Sequence, residues 1–79
     1  PGDPRLYLLQ ARAHALLGNR LMQHKAQGEA YVRMGNLVGA VEQFQFAQRA
    51  ADGDFFQQSS VDARLRELKQ LEAESRRKP

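Results

Sequence analysis

The chain of 79 residues contains no cysteine, and neither isoleucine nor threonine occurs anywhere in it. Without cysteine, the protein has no disulfide, no zinc–thiolate site and no thiol nucleophile. No apolar run approaches the roughly 20 residues that a membrane-spanning helix needs, and no signal peptide is visible. No segment alternates apolar and polar residues over a useful length, so strands are not expected.

Helix-forming residues are what the chain has in abundance. Alanine, leucine, glutamine, arginine and glutamate dominate it, and all five favour helices. The chain is therefore expected to be all-α. A domain this short buries only about 60% of its unfolded surface, so antiparallel helical hairpins that stack on neighbouring units suit it better than a closed core. Because the chain begins at Pro1 without methionine, we expect residues 1–79 to be one domain cut from a longer protein.

The first two predicted helices are separated by a glycine–asparagine turn. The first begins near Pro4 with Asp3 as its N-cap. It ends at Gly18-Asn19, because both residues tolerate the left-handed conformation that closes helices. The second is predicted over 20–34. The apolar residues of the first helix fall on one stripe at helical spacing: Leu6, Leu9, Ala13, Leu16 and Leu17.

A third helix is predicted over 37–51, after a second turn at Gly35-Asn36. Phe46 lies roughly opposite Phe44, so this helix is apolar on two sides, as expected of a helix sandwiched between neighbours. The face expected to be buried consists of Leu37, Ala40, Val41, Phe44, Ala47 and Ala51.

The fourth helix is predicted over 59–75 as a C-terminal capping helix, with Ser59 and Asp62 forming a capping box. Just before it, Phe55 and Phe56 are expected to plug the core, with an exposed contact surface as the alternative. The apolar stripe of this helix is narrow: Val61, Leu65, Leu68 and Leu71. Its outer face carries opposite charges four residues apart: Asp62 with Arg66, Glu72 with Arg76, and Glu74 with Lys78.

The middle of the chain carries a signature spacing of small and aromatic residues. Its members are Gly28, Tyr31, Gly35, Ala40, Phe44 and Ala47. This spacing resembles the tetratricopeptide repeat, a helix–turn–helix unit of 34 residues. The resemblance implies one complete unit over 21–54, flanked by half-repeats, in a solenoid of about four helices. Three positions depart from the family pattern, which favours an aromatic, a leucine and a proline where this chain has His24, Gln27 and Asp52.

Two segments, 24–31 and 52–68, carry a narrower resemblance. They are similar to the C-terminal end of bacterial periplasmic zinc metallopeptidases, in which tetratricopeptide repeats follow the peptidase domain. Members of that family assist outer-membrane β-barrel assembly. The resemblance implies a periplasmic location and a zinc ion in the parent's peptidase domain. The H-E-x-x-H motif is absent here, so no catalytic residue and no cofactor is carried over to this chain.

A partner-binding groove is implied by the repeat resemblance, because the first helix of each pair lines a concave surface in that family. The inner face of the second helix would then present Met22, Lys25, Glu29, Val32 and Arg33. Lys25 and Arg33 could clamp a carboxylate or an acidic stretch, and Val32 could add an apolar contact. The alternative is that these residues only face solvent or contact a further domain of the parent.

Other chemistries find little support in the sequence. His14 and His24 lack the spacing of zinc ligands, and His24 is expected to be a packing residue. The glycines do not form a phosphate-binding loop, and helix capping accounts for the serines near position 60. A net charge of +3 from twelve basic and nine acidic residues is too mild to indicate nucleic acid.

The sequence therefore predicts a non-catalytic protein-interaction module. It would recruit substrate or outer-membrane assembly machinery, or contact the parent's own peptidase domain. Self-association as a homodimer through the open ends of the stack is the first alternative. A basic helical domain that binds nucleic acid is a weaker one.

Overall fold

The computed structural model describes residues 2–77 and contains four helices. They are α1 (Pro4–Leu16), α2 (Arg20–Arg33), α3 (Leu37–Arg49) and α4 (Phe55–Arg77). Consecutive helices pack as hairpins, and α4 contacts α2 as well as α3. No strand occurs within the described residues. The predicted all-α class and the four helices are confirmed.

Both predicted glycine turns are present between the first three helices. Gly18 and Gly35 have φ of +76° and +77°, in the left-handed region that glycine adopts without strain. Asp3 caps α1 as predicted, because its Oδ1 accepts the backbone N–H of Arg5 at 2.9 Å. Asn36 caps α3 by accepting the N–H of Gly39 at 2.8 Å.

The core lies between α2, α3 and α4. Its buried cluster comprises Leu21, Ala40, Phe44, Ala47, Val61, Leu65 and Leu68. Gly28 lies where α2 crosses α3, and a Cβ atom at this position would stand 2.5 Å from the Phe44 ring. The two backbones can therefore approach closely only while position 28 has no side chain. Tyr31 is half-buried and packs against the same cluster.

The leucine stripe of α1 does not face the core. Leu6, Leu9, Leu16 and Leu17 are exposed over 51%, 60%, 83% and 72% of their surface. The face of α1 that packs against α2 instead consists of buried Ala11 between half-buried Tyr7 and His14. A small residue allows the two helix axes to approach, and this contact turns the leucines outward.

The fourth helix begins four residues earlier than predicted, so the expected bounds 59–75 are wrong. Asp54 Oδ1 accepts the N–H of Gln57 at 2.8 Å, and Gln57 Oε1 accepts the N–H of Asp54 at 3.0 Å. This reciprocal pair is a capping box that starts the helix at Phe55. The predicted box at Ser59 is absent, and Asp62 accepts from Gln48 Nε2 at 3.0 Å instead.

The aromatic plug is also wrong. Phe55 and Phe56 are 78% and 81% exposed, because the first turn of α4 projects beyond the core. The alternative of an exposed aromatic pair fits the structure.

Three smaller expectations about α3 and α4 have mixed outcomes. Ala51 is exposed because α3 ends at Arg49, and Phe46 is 45% exposed rather than sandwiched within residues 2–77. The pair of Glu72 and Arg76 is confirmed at 3.0 Å. Asp62 and Arg66 form no ion pair among the described residues. The pair of Glu74 with Lys78 falls outside them.

Candidate functional site

A groove runs along α2 on the side that faces away from α3. Residues three and four apart share one face of a helix, which places Met22, Lys25 and Glu29 in line. Together with residues of α1 they surround a cleft of about 160 Å³, lined by Tyr7, Gln10, His14, Met22, Lys25, Ala26 and Glu29. The structure thus brings three of the five predicted groove residues together in one cleft.

A second recess continues this cleft toward the start of α4. It has a volume of about 180 Å³ and is lined by His14, Asn19, Leu21, Met22, Asp52 and Gln57. His14 and Met22 line both recesses, so the two form a single surface feature. We call it the α2 groove.

Glu29 is the most heavily bonded side chain of the α2 groove. Its carboxylate accepts from Arg33 Nη1 at 2.6 Å and from Arg64 Nε and Nη2 at 2.9 and 3.1 Å. The Arg64 contact is bidentate and joins α2 to α4. This hydrogen bonding to Glu29 is the main reason why the pKa of Arg64 is raised. Two guanidinium groups therefore surround the one carboxylate at this end of the groove.

Arg33 was predicted to bind a carboxylate of a partner, but its guanidinium is engaged within the chain. Besides its ion pair with Glu29, its guanidinium lies 4.8 Å from the centroid of the Tyr7 ring on α1. Cation–π contact and ion pair both hold the side chain in place. Arg33 connects α1 to α2, and its charge is already shared with Glu29.

Lys25 is the groove cation that remains available. Its side chain is half-buried, and no carboxylate of residues 2–77 lies within 4.0 Å of its ammonium group. Beside it, the His14 Nδ1 atom is buried and has no hydrogen-bond partner within the same part of the chain. A ligand with a carboxylate would pair with the Lys25 ammonium, whereas the His14 Nδ1 atom is not exposed to the groove.

Asp52 closes the far end of the α2 groove. Its carboxylate accepts the backbone N–H groups of Leu21 and Arg20, capping α2 in place of Asn19, which makes no side-chain cap. The hydrogen bond from Leu21, followed by that from Arg20, lowers the pKa of Asp52. This negative charge is directed at the helix N-terminus.

Val32 does not belong to the groove. It lines neither recess and packs half-buried against the core cluster, two turns further along nearly the same face of α2 as Lys25. Conversely, the sequence analysis missed Tyr7, Gln10 and Arg64. The spacing of Tyr7, Gln10 and His14 on α1 was a usable signal for the first two.

The second histidine lies elsewhere. His24 Nδ1 is 2.9 Å from Gln43 Oε1, and its ring centroid is 5.5 Å from that of Phe46. In residues 2–77 no three His, Asp or Glu side chains cluster as metal ligands would. No helix in this range combines the length and hydrophobicity required to cross a bilayer.

Comparisons of the chain with protein-family models, curated proteins and solved structures gave no significant match.

Proposed function

We propose that the chain is a non-catalytic protein-interaction module that binds an acidic peptide segment in the α2 groove. The observation that carries the proposal is the ammonium of Lys25, a half-buried groove residue that has no ion-pair partner within residues 2–77. Unmet hydrogen-bonding capacity in a concave surface is what a ligand can satisfy.

The charge of the groove supports an acidic ligand. Lys25 in the groove and Arg33 and Arg64 beside it contribute three positive charges, against the two carboxylates of Glu29 and Asp52. Glu29 is bonded to both guanidinium groups and forms no ion pair with Lys25 within residues 2–77. A carboxylate next to Lys25 would gain a charge-assisted hydrogen bond, which is stronger than a neutral one.

The apolar lining gives the peptide a second kind of contact. Met22 of α2 and Tyr7 of α1 line the same cleft as Lys25. Methionine adapts its shape to different partners, and tyrosine provides a large amphipathic surface. We expect the groove to prefer an acidic residue flanked by apolar ones.

The family resemblance extends the proposal to a biological setting. Segments 24–31 and 52–68 support assignment to the tetratricopeptide repeat region at the C-terminus of a periplasmic zinc metallopeptidase. In that setting the groove would recruit substrate or outer-membrane assembly machinery, or hold a segment of the parent's own peptidase domain. Zinc would belong to that peptidase domain.

The proposal is tested by measuring peptide affinity with fluorescence anisotropy. The probes are labelled peptides of about ten residues that alternate Asp or Glu with Leu, and matched peptides with Asn or Gln. We expect the acidic peptides to bind more tightly, and Lys25→Gln to weaken them about tenfold, because one charge-assisted hydrogen bond is lost.

Lys69→Gln is the matched control, since Lys69 lies on the exposed side of α4 and carries the same charge. Equal losses for the two variants would show that binding follows net charge rather than the groove. Equal affinity for acidic and amide peptides would contradict the proposal outright.

A further inference from the structure

The outer face of α1 carries an unusual concentration of exposed leucines. Leu6, Leu9, Ala13 and Leu16 follow one another at intervals of three, four and three residues, the spacing of a coiled-coil seam. All four are exposed. We call these four residues the α1 seam. Leu17, at its edge, is exposed as well.

Contiguous exposed apolar surfaces often mark the sites at which proteins contact their partners. From the α1 seam we infer a second docking site, separate from the α2 groove, for an amphipathic helix of a partner protein whose apolar stripe is flanked by acidic residues. The partner is expected to be a helix because the seam has coiled-coil spacing. Its flanks are expected to be acidic because the charge around the seam is positive.

The positive charge of the chain is concentrated around this helix. Residues 1–28 contain four basic residues and one acidic residue, Asp3, whereas 29–79 contain eight of each. The whole net charge of +3 therefore lies in α1, its flanks and the first half of α2. No Asp or Glu occurs over 4–28.

Arginines border the seam on one side. Arg5 and Arg12 line a surface recess of about 310 Å³ together with Leu8 and Leu9. Arg5 is paired with Asp3 at 3.0 Å. Arg12 has no ion-pair partner among residues 2–77, so a carboxylate beside the seam of an incoming helix would find an unpaired guanidinium there.

A second copy of the chain fits the seam less well. In a coiled-coil arrangement, Arg5 and Arg12 occupy equivalent flanking positions, and Gln10 and Leu17 occupy the other flank. An antiparallel pair of α1 helices would place arginine against arginine. A parallel pair would place Arg5 against Gln10 and Arg12 against Leu17, which leaves the guanidinium groups without acidic partners. Flanking charges of this kind decide partner choice.

The test uses a labelled peptide of about three heptads with Leu at positions a and d and Glu at e and g, and a matched peptide with Lys at e and g. Repulsion between the Glu side chains keeps the first peptide from pairing with itself. With the full chain, we expect the Glu peptide to bind at least about tenfold more tightly than the Lys peptide. Its affinity should fall with rising salt.

Two variants locate the binding. Leu9→Gln and Arg12→Glu alter exposed side chains, and circular dichroism melts confirm that each remains folded. Each should weaken the Glu peptide about tenfold, and Arg12→Glu should strengthen the Lys peptide. Leu71→Gln is the control, because Leu71 is an exposed leucine of α4 with an exposure of 45%. Unchanged affinity in the Arg12→Glu variant would overturn the inference.

The remaining outcomes separate other occupants of the seam. Light scattering that shows a dimer of the free chain, dissociated by Leu9→Gln, would assign the seam to a second copy. Binding to vesicles rich in phosphatidylglycerol without binding of the Glu peptide would assign it to an anionic membrane. Either result would overturn the inference. Lys25→Gln should leave Glu-peptide binding intact, which distinguishes this site from the α2 groove.

Discussion

The two outermost helices, α1 and α4, present opposite kinds of outer surface. The outward positions of α1 are occupied mainly by leucine, whereas those of α4 are Ser59, Ala63, Arg66 and Gln70, all exposed. On the inner side the contrast reverses, because α1 buries one alanine while α4 buries Val61, Leu65 and Leu68. Helix α4 therefore closes the core with large apolar side chains, whereas α1 packs closely along α2 through small ones and exposes its own apolar stripe.

This difference shows what an apolar stripe in a sequence does and does not establish. Both stripes have helical spacing, but only that of α4 meets a complementary surface inside the chain. In α1 the small side chain of Ala11 sets the contact with α2, and the larger leucines point away. Burial is therefore decided by which face can approach a neighbour closely, and hydrophobicity alone does not decide it.

The largest effect is expected from truncating the buried stripe of α4. Leu68 is fully buried, so Leu68→Ala should lower the free energy of unfolding by about 2–5 kcal/mol. Leu9→Ala, on the exposed face of α1, should change it by less than about 0.5 kcal/mol. Urea denaturation of both variants measures the difference. Equal losses would mean that α1 buries its leucines in solution, and the contrast drawn between α1 and α4 would be wrong.

An intermediate effect is expected at the ion pair that anchors α4 on α2. The Glu29 and Arg64 side chains are only 15% and 26% exposed. Glu29→Gln should lower the free energy of unfolding by about 1.5–3 kcal/mol, the contribution of hydrogen bonds to charged groups. Hydrogen exchange should rise in α4 more than in α1.

Glu67→Gln provides the control for this substitution, since Glu67 is 65% exposed and its contact with Arg64 is longer, at 3.6 Å. We expect it to change stability by less than about 0.5 kcal/mol. If the two variants lose equal stability, the anchoring role assigned to Glu29 is wrong.

The smallest effect on stability is expected from Asp52, the exposed residue that caps the start of α2. The pKa of Asp52 is lowered in the folded chain, so its ionised form stabilises the fold above its unfolded pKa, near 3.8. That contribution is lost as the pH falls below this value through the lower folded pKa. Asp52→Asn should melt at a lower temperature than the wild type at neutral pH, and the gap should narrow in acid.

Thermal melts between about pH 6 and pH 2.5 follow this change. Asp54→Asn serves as the matched control, because Asp54 caps α4 within its own capping box and asparagine is as good a cap as aspartate. A gap between wild type and Asp52→Asn that is constant over the whole range would show that the Asp52 charge does not act on α2.

Local patterns in the sequence were enough for the helices and for two of the turns. Gly18 and Gly35 each precede asparagine after an amphipathic stretch, and both close a helix. The start of α4 was missed because two capping sequences stand close together, and the one at Asp54 lies in front of two aromatics that were interpreted as core. The choice between them depends on whether Phe55 and Phe56 are buried, which no local pattern determines.

The groove was predictable only in part, for a similar reason. Met22, Lys25 and Glu29 follow from helical spacing on α2. The bidentate contact of Glu29 with Arg64 joins residues 35 apart in the chain, and the cap from Asp52 to Leu21 joins residues 31 apart. Such contacts depend on how the helices stack. The same holds for Val32, which shares the spacing of the groove residues but packs against the core cluster.

The most direct test of the α2 groove is a titration of the isotope-labelled chain with an acidic peptide, followed by two-dimensional NMR. Peptide binding in the groove predicts that the largest shift changes occur at His14, Met22 and Lys25. The Lys25→Gln variant should reduce these changes. Shift changes confined to α1 leucines or to the outer face of α4, with His14 and Lys25 unaffected, would contradict the proposed function.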